Sequence, residues 1–247
     1  MVEKNYLHTA YANSADGTDR FTTVYPNLNL LSQNDLIPGY LNDKGALIPP
    51  SAESNERTSP FLEVDASQSY TAQVFVTLAI QRSSWCGISW FDENQIFIKR
   101  TAFQELNVPI SGNYTYHYTV QPPSNAKFVR ISFRQWGDGK LKLEQGSTAT
   151  PWMPSATEVT TAEWPKYVGT YVDTNLVSST DPSKYGWDEM KHRVYLDGIA
   201  VAGSKLLSTK VENLKPDTSY TIQVKQVSGE EESDFSDSVT FKTNVQK

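Results

Sequence analysis

Apolar and polar residues alternate one by one through residues 70–81, and this pattern constrains the fold more than anything else in the chain. Tyr70, Ala72, Val74, Val76, Leu78 and Ile80 take one set of positions; Thr71, Gln73, Phe75, Thr77 and Gln81 take the other. A period of two puts one set on each face of a strand, so the segment is expected to bury one face of a sheet. The habit recurs downstream. Residues 85–91 (WCGISWF), the polar turn Asp92-Glu-Asn94 and residues 95–98 read as a hairpin. Residues 114–120 alternate Tyr with Thr or His, residues 128–136 alternate again, and residues 141–143 make a short closing strand after the turn Gly137-Asp-Gly139. Many short strands with turns and no helical period predict an all-β chain built around a jelly-roll β-sandwich. Residues 26–60, rich in Pro, Asn and Ser, read as a long irregular lead-in, a length that suits a compact domain only if the segment packs on the sandwich.

The 247 residues leave room for about two or three domains. With 13 Tyr, 10 Phe and 6 Trp in a chain only 38% hydrophobic, rings are abundant. All-β cores account for most of them, and any surplus supplies stacking surfaces. The net charge of −6, without a Lys/Arg stripe, argues against nucleic acid and against an anionic membrane surface. Cys86 is the sole cysteine, so neither an internal disulfide nor a cysteine metal site is available. It lies in an apolar run and reads as a small core residue. No apolar stretch is long enough for a membrane-spanning helix, and Met1 does not open a signal peptide.

A pyranose ring offers apolar C–H faces that stack on aromatic rings, and hydroxyls that need planar polar partners. Residues 128–136 could supply both. Val129, Ile131 and Phe133 share one face, which leaves Arg130, Ser132, Arg134 and Trp136 on the other. If Cys86, Ile88 and Trp90 are core, Trp85 turns outward; if Tyr116 and Tyr118 are core, His117 turns outward, and Gln73 does so on its own strand. The candidate ligand-binding residues are therefore Trp136, Arg134, Arg130, Trp85, His117 and Gln73. In the competing reading the arginines cover the sheet and pair with acids, while Trp136 caps an edge. Trp152 and Trp164 read as packing residues at junctions.

Enzyme signatures are lacking: there is no Gly-x-Ser-x-Gly elbow, no His-Glu-x-x-His and no phosphate loop, and the acids Asp65, Asp92, Glu93, Glu105 and Asp138 sit mostly at turns. No catalytic residue is assigned. No cofactor is expected; a structural Ca²⁺ would suit loops of such a sandwich, but no Asp-x-Asp-x-Asp run assigns its ligands.

Two segments far apart, residues 6–21 (YLHTAYANSADGTDRF) and residues 167–187 (beginning YVGTYVD, ending STDPSKYGW), resemble parts of tail and baseplate proteins of phages of lactic-acid bacteria. There the two segments run nearly together, so the residues between them resemble an insertion. Residues 69–154, above all the closing KLKLEQGSTATPWMP, resemble a jelly-roll carbohydrate-binding module. Leu214, Pro216, Thr218 and Tyr220 resemble the tyrosine-corner turn of fibronectin type III, although only some 60 residues follow Trp187 where that fold uses about 100. The resemblances imply residues 1–25 paired with 165–187, a carbohydrate-binding module over 26–157, a linker or small β unit over 158–187 and a fibronectin-like domain over 188–247. They also imply a virion protein made without a signal peptide, which binds host Gram-positive cell-wall polysaccharide and other phage tail or baseplate proteins. The alternatives are a purely structural virion component and a targeting module of a glycan hydrolase.

Overall fold

A computed structural model describes residues 4–50, 55–78, 82–108, 112–134, 139–211 and 214–244. In chain order, β1 (Tyr6–Ala12) leads to short strands β2 (Ile37–Pro38), β3 (Tyr40–Leu41), β4 (Leu47–Ile48), β5 (Glu56–Thr58) and β6 (Leu62–Glu63). The long strands β7 (Tyr70–Leu78), β8 (Arg82–Phe91), β9 (Phe97–Val108) and β10 (Gly112–Val120) follow, then β11 (Phe128–Arg134) and β12 (Lys140–Gln145). The chain continues through β13 (Tyr167–Asp173), β14 (Gly186–Glu189), β15 (His192–Leu196), β16 (Ile199–Ser204), β17 (Ser219–Ser228), β18 (Glu231–Glu232) and β19 (Val239–Lys242). The chain is all-β, and no helix among the described residues could cross a membrane. It divides into two compact units, Leu28–Val159 and a discontinuous one made of Met1–Asn27 with Thr160–Lys247.

The Leu28–Val159 unit is a β-sandwich. One sheet runs β10-β7-β12; the other runs β2-β5-β11-β8-β9, with β6 also on β11. The chain crosses between sheets at β7–β8, β9–β10, β10–β11 and β11–β12, as jelly rolls do. The alternation seen in the sequence is what fills the space between them. Ala72, Val74, Val76, Leu141 and Leu143 from one sheet meet Cys86, Ile88, Trp90, Val129, Ile131 and Phe133 from the other. The Trp90 indole N–H, wholly buried, donates to Thr101 Oγ1 at 2.6 Å, which meets the need of a polar atom in an apolar core. Tyr118 is less well served: its buried hydroxyl has no hydrogen-bond partner, and burial pushes its phenol up to about 12.

The lead-in packs on the sandwich. Asn29 Nδ2 donates to the Leu141 carbonyl, while its Oδ1 accepts from the N–H groups of Leu31 and Leu143. Asn29 also forms a parallel bridge with Ser155. Glu158 accepts from Ser155 and Ser32 hydroxyls at 2.8 and 3.0 Å and from Asn34 Nδ2 at 2.9 Å. Residues 155–159 are thus held to the start of the same unit by a carboxylate.

In the discontinuous unit, β1 pairs antiparallel with β13 from Tyr6↔Asp173 to Ala12↔Tyr167, and β13 pairs with β14. The shared features of the two distant sequence segments have a packing cause. Gly17 has φ 76°, and a Cβ there would lie 2.1 Å from the Trp187 indole, so only glycine fits. His8, buried, stacks on Tyr171 with 4.6 Å between centroids and makes hydrogen bonds with Asp173, the Asn175 carbonyl and Ser178. Tyr25 stacks on Trp164 at 5.8 Å, and the Arg193 guanidinium sits 4.8 Å over the Trp164 ring. Arg193 Nε donates to Tyr25 Oη at 2.9 Å, and its guanidinium pairs with Glu232. A second sheet runs β16-β15-β17, with β18 and β19 on the far side of β17. Before β17, the Lys215 N–H donates to Tyr220 Oη at 2.9 Å, the hydrogen bond of a tyrosine corner. From His192 onward the described strands form this one sheet.

Two tyrosine-to-phenylalanine changes should move stability in opposite directions. Tyr118→Phe deletes an unsatisfied hydroxyl and is expected to stabilise the sandwich by up to about 1 kcal/mol, read as a higher urea midpoint. Tyr25→Phe leaves a buried guanidinium N–H without its acceptor and is expected to cost about 1.5–3 kcal/mol in the other unit. Burial also raises the Cys86 thiol to about 12, so alkylation of Cys86 is expected only when the sandwich opens. Labelling of the native chain at the rate of a denatured one would refute that core placement.

Candidate functional site

The outer face of the six-stranded sheet carries a groove of about 340 Å³, lined by Tyr40, Leu41, Asn42, Asp43, Glu56, Trp85, Arg100 and Arg134. Alternation along β8 and β11 places Trp85 and Arg134 there, opposite the core set Cys86 and Phe133. Arg100 joins them because it faces Ser89 across the β8–β9 ladder, and opposed residues share a face. Tyr40 comes from the β3–β4 hairpin. That hairpin is pinned to the sheet by three hydrogen bonds: Leu41 N–H to Ser132 Oγ at 2.9 Å, Thr58 Oγ1 to the Gly39 carbonyl at 2.7 Å, and Gly39 N–H to the Glu56 carbonyl at 3.0 Å. Gly39 makes the approach possible, since at φ 111° a Cβ would stand 2.4 Å from the Ile48 carbonyl oxygen. The hairpin turn is closed by Asn42 Oδ1, which accepts from the N–H groups of Lys44 and Ala46.

The groove combines flat apolar surface with fixed charge. The Tyr40 and Trp85 rings meet edge-on at 5.9 Å and 80°. Trp85 is only 8% exposed, so Tyr40, half-buried, is the more available ring. Arg134 Nη2 pairs with Glu56 Oε1 at 3.0 Å, and Glu56 is buried. The pair holds the arginine in place, with its side chain 29% exposed at the groove wall. Exposed Asp43 adds an acceptor at the rim. Rings, guanidinia and carboxylates set a few ångströms apart can stack on a sugar face and bond its hydroxyls or an anionic substituent.

The six sequence candidates do not form one site. Trp85 and Arg134 line the groove, and Trp136 lies outside the described residues. Arg130 shares their face but is not open to a ligand. It is 8% exposed, its Nε donates to the Ser59 carbonyl at 2.9 Å, and it lies over the Phe61 ring at 4.8 Å. The physical reason is the lead-in, which covers this part of the sheet and takes the guanidinium as a brace. His117 and Gln73 are register partners on the other sheet. His117 is exposed there, whereas Gln73 is buried and gives its Nε2 protons to Glu144 and the Thr150 carbonyl. Trp152 lies edge-on to Phe75 at 5.5 Å, and Trp164 stacks on Tyr25; neither lines the groove.

Tyr40, Asn42, Asp43, Glu56 and Arg100 were not among the sequence candidates. Tyr40 follows a Pro-Gly pair in an aperiodic stretch, so nothing local assigns it a face. Arg100 lies between two register shifts in the β8–β9 ladder, and the one nearer the Asp92 turn already defeats counting outward from that turn. Among the described residues, no cluster of three or more His, Cys, Asp or Glu side chains could hold a metal ion.

Comparisons with known proteins agree on the setting. A family model described as the C-terminal domain of minor structural protein 5-like proteins (BppU-like) matches residues 165–223. A chain in the structure of the tripod (BppUct-A-L) from the baseplate of bacteriophage Tuc2009 is 40% identical, with 100% of each chain covered and a TM-score of 0.68. A tail fiber protein of Enterococcus phage phiEF24C is 25% identical over 139 residues, which are 56% of this chain and 6% of that protein. The chain therefore spans a small part of that relative.

Proposed function

The chain belongs to the family of the Tuc2009 baseplate tripod chain that it matches end to end, and from that premise we propose that its sandwich is a non-catalytic adhesion module for host cell-wall polysaccharide. The protein is a tail or baseplate component of a phage virion. The observation that carries the adhesion reading is the groove itself: Tyr40 and Trp85 beside Arg100, Arg134 and Asp43 on one outer sheet face. The two guanidinia favour a glycan that carries phosphate or another anionic group. A shallow polar groove desolvates each hydroxyl it binds, so affinity per site is modest. Many copies on one particle convert weak contacts into firm attachment by raising effective concentration.

The alternatives are a purely structural virion component, in contact with other tail or baseplate proteins, and a targeting module of a hydrolase. Catalysis finds little support at the groove. Glu56 is ion-paired with Arg134 and so is poorly placed to act as a proton donor.

Isothermal titration with purified host cell-wall polysaccharide tests the proposal. Tyr40→Ala and Arg100→Ala are each expected to weaken binding by about tenfold. His117→Ala, on the opposite sheet, should leave it unchanged. Absence of heat with the parent chain, together with no labelling of host cells by a fluorescent fusion, would favour the structural alternative. Binding that survives both groove changes would move the site elsewhere on the chain, and release of saccharide by the isolated chain would point to an enzyme.

A further inference from the structure

Four polar side chains are sealed beneath residues 147–152 on the outer face of the three-stranded sheet. Gln73 is 3% exposed, Thr150 2%, and Lys142 and Glu144 0%. Apolar residues in these places would serve stability as well or better, because burying an ion pair costs about as much as it returns. The arrangement has chemical order. One carboxylate holds two groups of opposite reactivity: Glu144 Oε2 accepts from the Thr150 hydroxyl at 2.5 Å, and Glu144 Oε1 accepts from Gln73 Nε2 at 2.6 Å. Gln73 Nε2 also donates to the Thr150 carbonyl at 2.7 Å, which keeps the carboxamide beside the threonine. Lys142 Nζ donates to Thr150 Oγ1 at 2.7 Å and stands 3.2 Å from Glu144 Oε2.

A hydroxyl bonded to a buried carboxylate is a nucleophile with its base in place, and an amide nitrogen on the same carboxylate is a leaving group with its proton donor in place. We propose that Gln73 and Thr150 are the two ends of an intramolecular ester crosslink, with Glu144 as the proton relay. Thr150 Oγ1 loses its proton to Glu144 and attacks Gln73 Cδ. The Oγ1–Cδ bond forms and the Cδ–Nε2 bond breaks. Glu144 returns the proton to the nitrogen, which departs as ammonia. Glu144 is regenerated, nothing is oxidised or reduced, and no co-reactant is needed. The Lys142 ammonium, 2.7 Å from Thr150 Oγ1, supplies positive charge beside the attacking oxygen as its proton leaves. Exclusion of water then protects the ester from hydrolysis. Such a bond would take residues 74–149 out of the load path of any tension applied between residues 28 and 159.

Mass spectrometry of the denatured full chain tests this without any variant. The expected mass lies about 17 Da below that of the sequence, the loss of one ammonia. Peptide mapping should find the Gln73 peptide joined to the Thr150 peptide, and mild base should separate them with a gain of about 18 Da and glutamate at position 73. Glu144→Gln and Thr150→Val are expected to restore the full mass. Parent chain at full sequence mass would overturn the proposal. So would a Gln73 peptide linked to Lys142, its register partner on β12, by a base-stable amide.

Discussion

The discontinuous unit depends on a guanidinium that lies over one of two stacked rings and donates to the hydroxyl of the other. Tyr25 belongs to the stretch that ends at Asn27, Trp164 to the stretch that resumes at Thr160, and Arg193 to β15. Stacking brings the first two together, and Arg193 ties both to the second sheet through the Trp164 face, the Tyr25 hydroxyl and Glu232. A buried guanidinium is costly unless its donors are met, so the three partners stand or fall as a group. Tyr11, edge-on to Tyr25 at 4.9 Å, extends the contact to β1. A strand from the start of the chain can therefore pair in register with one that lies after the whole sandwich.

The sequence disclosed which side of each strand is apolar, but not what lies over the polar side. Alternation along residues 70–78 and 128–134 identified the core correctly, because Val74 and Ile131 can be satisfied only between the sheets. The same alternation leaves Arg130 and Gln73 facing outward, yet outward is not the same as open. Both are covered, Arg130 by the lead-in and Gln73 by residues 147–152. Those covering segments have no period, since their backbones are held by side chains such as Asn29, Asn42 and Ser132. A long-range cover built from irregular chain leaves no local trace in sequence. The distant half-motifs are more legible because Gly17 and Gly169 each lie against the Trp187 ring, where a Cβ would collide, a steric condition that few residue types satisfy.

The sandwich uses its two outer faces differently. One is closed over a dry polar cluster; the other is roofed only in part, by the β3–β4 hairpin, and keeps a groove. Net charge is a poor guide to that groove. The chain as a whole is acidic, yet Arg100 and Arg134 stand together on the groove wall. The local charge of a groove is set by which side chains the fold gathers, here with a paired acid that keeps Arg134 from folding away.

Each unit fastens its own pair of chain ends. In one, Tyr25 meets Trp164; in the other, Asn29 bridges Ser155, and Glu158 binds Ser32 and Asn34. Neither fastening borrows a residue from the other unit. A genetic exchange with crossovers near positions 27 and 160 would therefore deliver a new sandwich whose ends are already closed, into a host unit whose ends are already closed. The 28–159 stretch is then a cassette. Recombination there would replace one sandwich by another in a single step, with the discontinuous unit unaltered.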